Sequence, residues 1–152
     1  MKYIIDSFNS GDNIVPNKFC DEISSLIVQT DCSSGKQALT EFRNNLPDQL
    51  MRLGWSDNVF LDMTSRINIT SMREKTGLCV QTGNASRVYA DLMKLQTLFV
   101  KNTILNGIFI LPTAQTGRII GQNVASYDRV IREMPIFKQV ITLPLVIIGY
   151  EV

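Results

Sequence analysis

The run GLCVQTGNASRVYADLMKLQTLFVKNTILNGIFIL, Gly77 to Leu111, decides the fold. It opens on a strand candidate, Gly77 to Thr82, with the apolar and β-branched content that suits a pleated surface. Asn84 then caps the best helix in the chain. Along that helix Val88, Leu92, Leu95 and Phe99 recur at helical spacing, opposite Arg87, Asp91, Lys94 and Lys101. After Asn106 and Gly107 comes Ile108 to Leu111, an unbroken apolar run ended by Pro112, as expected of a strand buried on both faces. A strand–helix–strand unit of this length predicts a right-handed parallel crossover.

Upstream, Asn58 to Met63 and Arg66 to Thr70 are two further strand candidates. With Gly77 to Thr82 their spacing predicts a three-strand antiparallel meander. Before them lie two helical segments. One starts at Asn17 as N-cap and carries Phe19, Ile23, Leu26 and Ile27. The other carries Leu39, Phe42 and Leu46, then Leu50 and Leu53 beyond a kink or fresh turn at Pro47. Thr30 to Gly35 breaks the two apart, and Tyr3 to Ile5 is a short strand or anchored end. Downstream, a helix is expected over Asn123 to Met134, with Val124, Tyr127, Val130 and Ile131 on one face. A last buried strand follows over Leu143 to Gly149. One α/β domain accounts for all 152 residues.

Composition narrows the chemistry. Apolar residues make up 45% and charged residues 19%, the balance of an ordered globular chain. A net charge of +1 offers no general attraction to phosphate backbones, so nucleic-acid contact requires a local patch. Histidine is absent, which excludes Ser–His–Asp and Cys–His mechanisms and the usual zinc sites. Cys20, Cys32 and Cys79 form no CxxC pair and are expected as reduced thiols. The N-terminus has no signal-peptide apolar core and no run is long enough to cross a bilayer. A cytoplasmic protein without membrane contact is expected.

The segments VQTGN (Val80–Asn84), GIFILP (Gly107–Pro112), GQNVASYD (Gly121–Asp128) and LPLVIIG (Leu143–Gly149), in this order and spacing, resemble the BglII-type restriction endonucleases of the PD-(D/E)XK superfamily. The resemblance implies an α/β core with a central mixed β-sheet flanked by helices. It also implies a site in which strand-borne carboxylates hold Mg²⁺, which lowers the pKa of an attacking water. Carried onto this chain, Gln81 matches the glutamine of the subgroup. Cys79 falls where a glutamate belongs and Thr70 where an aspartate belongs, and Asn68 shares a face with Thr70. No group of this set is a carboxylate, and a thiol is a poor magnesium ligand. Cys79 between Leu78 and Val80 equally suits a small buried hydrophobe. The vestigial positions are therefore Thr70, Cys79 and Gln81, with no metal and no cofactor expected. Mg²⁺ returns only if acids elsewhere have moved in. Asp62 and Glu74 are the candidates for that, with Asp57 and Glu41 behind them, and each also reads as a solvated surface acid.

By the same resemblance, contacts to DNA or to a protein partner are expected from the turns before the two helices. These carry Asn84, Ser86 and Arg87, then Asn123, Ser126 and Tyr127, where backbone N–H groups and amide side chains suit phosphates and base edges. Lys94 and Lys101 follow on the polar face of the first helix. Family enzymes continue past the last core strand into a segment that helps embrace the duplex. With the lost carboxylates, a chain that ends at the core strand is expected to have a role that needs no cutting. The leading reading is a nuclease-like protein that has lost Mg²⁺-dependent cleavage and binds duplex DNA or a protein partner, as an immunity or accessory factor would. A homodimer fits that reading. The alternative is an active, divergent type II endonuclease using Asp62 or Glu74. The third is a plain α/β domain, preferred if the meander is absent.

Overall fold

The computed structural model describes residues 1–30 and 35–152. Strand β1 (Lys2–Phe8) leads through a short turn, α1 (Gly11–Ile14), into two long helices, α2 (Asn17–Gln29) and α3 (Lys36–Arg52). Pro16, not Asn17, holds the N-cap position of α2, one residue earlier than the sequence suggests. The expected break and Cys32 fall largely on 31–34, outside the described residues. Helix α3 runs through Pro47 as one element. A proline inside a helix costs about 3 kcal/mol. Burial of Leu46 and Leu50 on either side of it offsets that loss.

The meander expectation is overturned. Four strands occupy this stretch, in two sheets: β2 (Val59–Asp62) pairs with β3 (Ile67–Ile69) as a separate hairpin. β4 (Ser71–Arg73) pairs antiparallel with β5 (Thr76–Val80) at the edge of the main sheet. The cause is local. Ser71 turns inward to donate to the Ser56 carbonyl, and Glu74 takes a left-handed φ of 55° that closes a tight turn into β5.

Helix α4 (Val88–Val100) then crosses over to β6 (Asn106–Pro112), which lies parallel to β5 as the sequence predicts. α5 (Ala114–Ile120) was not foreseen. Thr113 caps it, its hydroxyl accepting from Thr116 N–H. The next helix, α6 (Tyr127–Glu133), starts four residues later than expected, because Asn123 sits at φ 54° and Val124 bridges to Asn84. The chain closes with β7 (Leu145–Glu151), parallel to β6 and antiparallel to β1.

The main sheet is mixed, in the order β1-β7-β6-β5-β4, and its period-two alternation fills two cores. Leu78, Ile108, Ile110, Val146 and Ile148 face α2 and α3, packing on Phe19, Ile23, Phe42 and Leu50. Cys79, Phe109, Leu111 and Ile147 face α4 and α6, packing on Val88, Leu92, Leu95 and Val130. Two glycines permit close approaches. A Cβ on Gly11 would lie 2.2 Å from the Leu145 carbonyl oxygen, and one on Gly149 would lie 2.7 Å from the Tyr127 ring. Among the described residues no helix is long and apolar enough to cross a membrane.

Candidate functional site

Where β5 ends and α4 begins, the sheet opens into a cleft of about 540 Å³. The strand period puts Cys79 and Gln81 on the α4 side of β5, and Asn68 and Thr70 reach the same cleft from the end of β3. All four positions that the sequence expects to converge do so. What they meet there is Asp91, which lies on the buried flank of α4.

Gln81, Asp91, Thr70 and Cys79 all have partners within the protein. The Gln81 amide donates to Asp91 Oδ2 at 2.5 Å, while its Oε1 accepts the Gly83 N–H at 2.8 Å. Asp91 Oδ1 pairs with the Lys94 ammonium at 2.7 Å, one helical turn on. The Thr70 hydroxyl accepts the Val80 N–H at 3.0 Å, and the Cys79 thiol lies 4.0 Å from the Asp91 carbonyl. Burial, and then the Asp91 charge, push the Cys79 thiol well above its ordinary range, so it stays protonated. Arg43 from α3 and Arg87 from the start of α4 complete the charged lining with Lys94.

The Mg²⁺ that the resemblance implies does not fit this donor set. A hard dication is held through carboxylates with free oxygens, water and phosphate. The cleft offers one carboxylate, and an ammonium and an amide occupy its two oxygens. Among the described residues no group of three or more acidic or thiol side chains gathers anywhere.

The acids proposed as replacements lie elsewhere. Asp62 is exposed in the β2–β3 turn, where it accepts from the Ser65 N–H at 2.6 Å and from the Ser65 hydroxyl, bonds that lower its carboxyl from the usual range. Glu74 is exposed at its tight turn. Asp57 accepts from Asn58, and Glu41 accepts from Gln37 on the outer surface of α3. None lines the cleft.

The two expected binding turns are brought together. Asn84 and Val124 form a bridge, with Ala125 N–H donating to the Gly83 carbonyl at 2.8 Å and Ala85 N–H to the Asn123 carbonyl at 2.7 Å. Asn84 acts as a cap, its side chain accepting from Ser86 N–H, while Ser86, Arg87 and Asn123 stay exposed. Ser126 is half-buried before α6 and makes no side-chain cap bond. Tyr127 departs from the expected role. It is buried, and its hydroxyl donates to Asp6 Oδ2 of β1 at 2.6 Å, which ties α6 to the far edge of the sheet.

Sequence reasoning missed Asp91 and Arg43 as site residues. The signal for Asp91 was present: Val88, Asp91, Leu92, Leu95 and Leu98 form the buried stripe of α4, so a charge stands at a core position. Arg43 left no such trace, since its place in the cleft depends on how α3 docks.

Comparison with known proteins agrees with this architecture. A search of curated protein sequences gives no match. The crystal structure of restriction endonuclease BglII complexed with a DNA 16-mer superposes with a TM-score of 0.81 at 15% identity, covering 98% of this chain and 76% of that one. Free BglII superposes at 0.72 with 16% identity, covering 100% of this chain and 80% of that one. Identity this low speaks to the fold alone. The sequence model "Restriction endonuclease BglII/BglIII" matches residues 3–150, so the plain α/β reading lapses and the chain belongs to the BglII/BglIII restriction endonuclease family.

Proposed function

We propose that this protein binds duplex DNA in the α4 cleft and does not cut it with Mg²⁺. The observation that carries the reading is the Asp91–Lys94–Gln81 cluster, in which the cleft's one carboxylate already has an ammonium on one oxygen and an amide on the other, so that a metal ion would have to compete with a fixed cation for it. The lining supports a polyanion as the occupant: Arg43, Arg87 and Lys94 stand against the single acid. Exposed Ser86 and Asn123 flank that lining with further hydrogen-bonding groups for phosphate and base edges. BglII, the structural relative, is itself seen with DNA.

The test is an incubation of supercoiled plasmid with the protein in Mg²⁺ and in Mn²⁺, beside an anisotropy titration of a labelled mixed-sequence duplex. Binding without nicking is expected. Nicking that vanishes on Gln81→Ala would refute it. A protein without measurable duplex affinity would point instead to a protein partner.

An active enzyme is the second reading, and one observation favours it: Asp91 is a carboxylate buried inside the cleft, beside the family glutamine. It supersedes Asp62 and Glu74 in that role. Mg²⁺ binding in calorimetry that Asp91→Asn abolishes would establish it.

A further inference from the structure

Resting on the duplex-binding reading, we infer that the Lys94 ammonium is a built-in cation standing in for the divalent metal, and that Asp91 sets how strongly it takes a DNA phosphate. Lys94 is anchored at its head by Asp91 at 2.7 Å, yet its side chain keeps 27% of its exposure, whereas Asp91 keeps 11%. Both members line the cleft, and the positive one is the more exposed of the two. Gln81 holds Asp91 in place by donating to the carboxylate oxygen that Lys94 leaves, and its own carbonyl is held by Gly83 N–H. A phosphate entering the cleft meets Lys94 with Arg87 and Arg43 on the same lining, and needs no added cation to approach.

Two consequences distinguish a fixed ammonium from a recruited metal. Duplex affinity is independent of Mg²⁺ beyond its effect as salt, and it responds in opposite directions to the two members of the pair. Neutralising Lys94 removes one phosphate contact. Neutralising Asp91 with its isostere keeps the Gln81 hydrogen bond and frees the ammonium from its counter-charge.

The experiment is anisotropy of a labelled mixed-sequence duplex against the intact protein, in EDTA and in Mg²⁺ at matched ionic strength. The variants are Lys94→Gln, Asp91→Asn and, as a charge-matched control at the far end of α4 outside the cleft, Lys101→Gln. Equal affinity with and without Mg²⁺ is expected. Lys94→Gln should bind several-fold more weakly, with the slope of log affinity against log salt reduced by about one. Asp91→Asn should bind several-fold more tightly, a gain that misfolding cannot imitate, and Lys101→Gln should match the parent. Binding that requires Mg²⁺, an unchanged Lys94→Gln, or a weakened Asp91→Asn would overturn the inference while leaving duplex binding in place. No duplex binding in either buffer would remove both.

Discussion

Cys79, which the family resemblance sets against a metal-holding glutamate, is enclosed by the core on the α4 side of the sheet. It is 2% exposed among Val88, Leu92 and Phe109, with Asp91 beside it. Restoring the carboxylate by Cys79→Glu would add volume and a second negative charge to a packed, acid-bearing pocket. Overpacking and an unpaired buried charge together should cost about 3 kcal/mol, read as a lower urea midpoint at unchanged slope. Cys79→Ala removes only one sulfur and should cost about 1 kcal/mol. A Cys79→Glu variant as stable as the parent would mean that the pocket is looser than its packing implies. The thiols also set an alkaline limit. Burial, with Asp21 adding to it, raises Cys20 from 9.0 to about 11, and Cys79 is raised further. In the folded chain both hold their protons above the pH at which the unfolded chain releases them, so their contribution is intact below pH 9. It is lost as pH rises through the folded values, the unfolded state then binding fewer protons. Stability should decline from about pH 9, by at most about 1.4 kcal/mol per pH unit for Cys79 and less for half-buried Cys20. Replacing both with alanine should flatten the decline between pH 9 and 10, as followed by urea titrations.

Elements differ in how much of themselves they write into the sequence. β6 and β7 were legible because strands buried on both faces are continuous apolar runs, and α4 because its stripe keeps the helical period. β4 was not, because three residues carry no period and Ser71 turns inward for a hydrogen bond rather than for burial of an apolar side chain. α5 was hidden for a similar reason: its buried members are Thr116 and Gly117, so no apolar face announces it. Strand alternation made legible that Asn68 shares a face with Thr70 and Cys79 with Gln81, while the convergence of the two pairs followed from the family resemblance. The Asp91–Lys94–Gln81 cluster was not legible, because it depends on the rotation of α4 against β5. That rotation is fixed partly by Gln96, buried on the same stripe. Gln96 donates to Thr142 Oγ1 at 2.8 Å and accepts the Thr142 and Leu143 N–H groups at 2.9 and 3.0 Å. Gln96→Leu strands two backbone donors beside the core and should cost about 2–4 kcal/mol. Because it also frees α4 to turn, amide exchange at Asp91 and Lys94 should accelerate more than exchange in β6. Equal acceleration across the molecule would instead indicate simple global destabilisation.

At the scale of the whole molecule a nearly neutral chain carries a local excess of cations in the α4 cleft. Fifteen basic and fourteen acidic residues leave +1 overall, so the far field is weak and nonspecific attraction to a polyanion is small. Some charges outside the cleft cancel locally, as in Lys18–Glu22, Arg73–Glu22 and Arg129–Glu133. In the cleft the balance departs from neutrality, with three cations against one acid. A duplex held mainly there should release counterions in proportion to those three cations, giving a slope of log affinity against log salt of about −3 at roughly 0.9 per neutralised phosphate. A protein that grips DNA over its whole surface would show a much steeper dependence. Changing Arg43, Arg87 and Lys94 together to glutamine should flatten the slope nearly to zero, whereas the same number of substitutions at exposed cations outside the cleft, Lys2, Lys18 and Lys138, should leave it unchanged. If both triple variants lose the slope equally, the surface that meets DNA is diffuse and the cleft has no privileged part in binding.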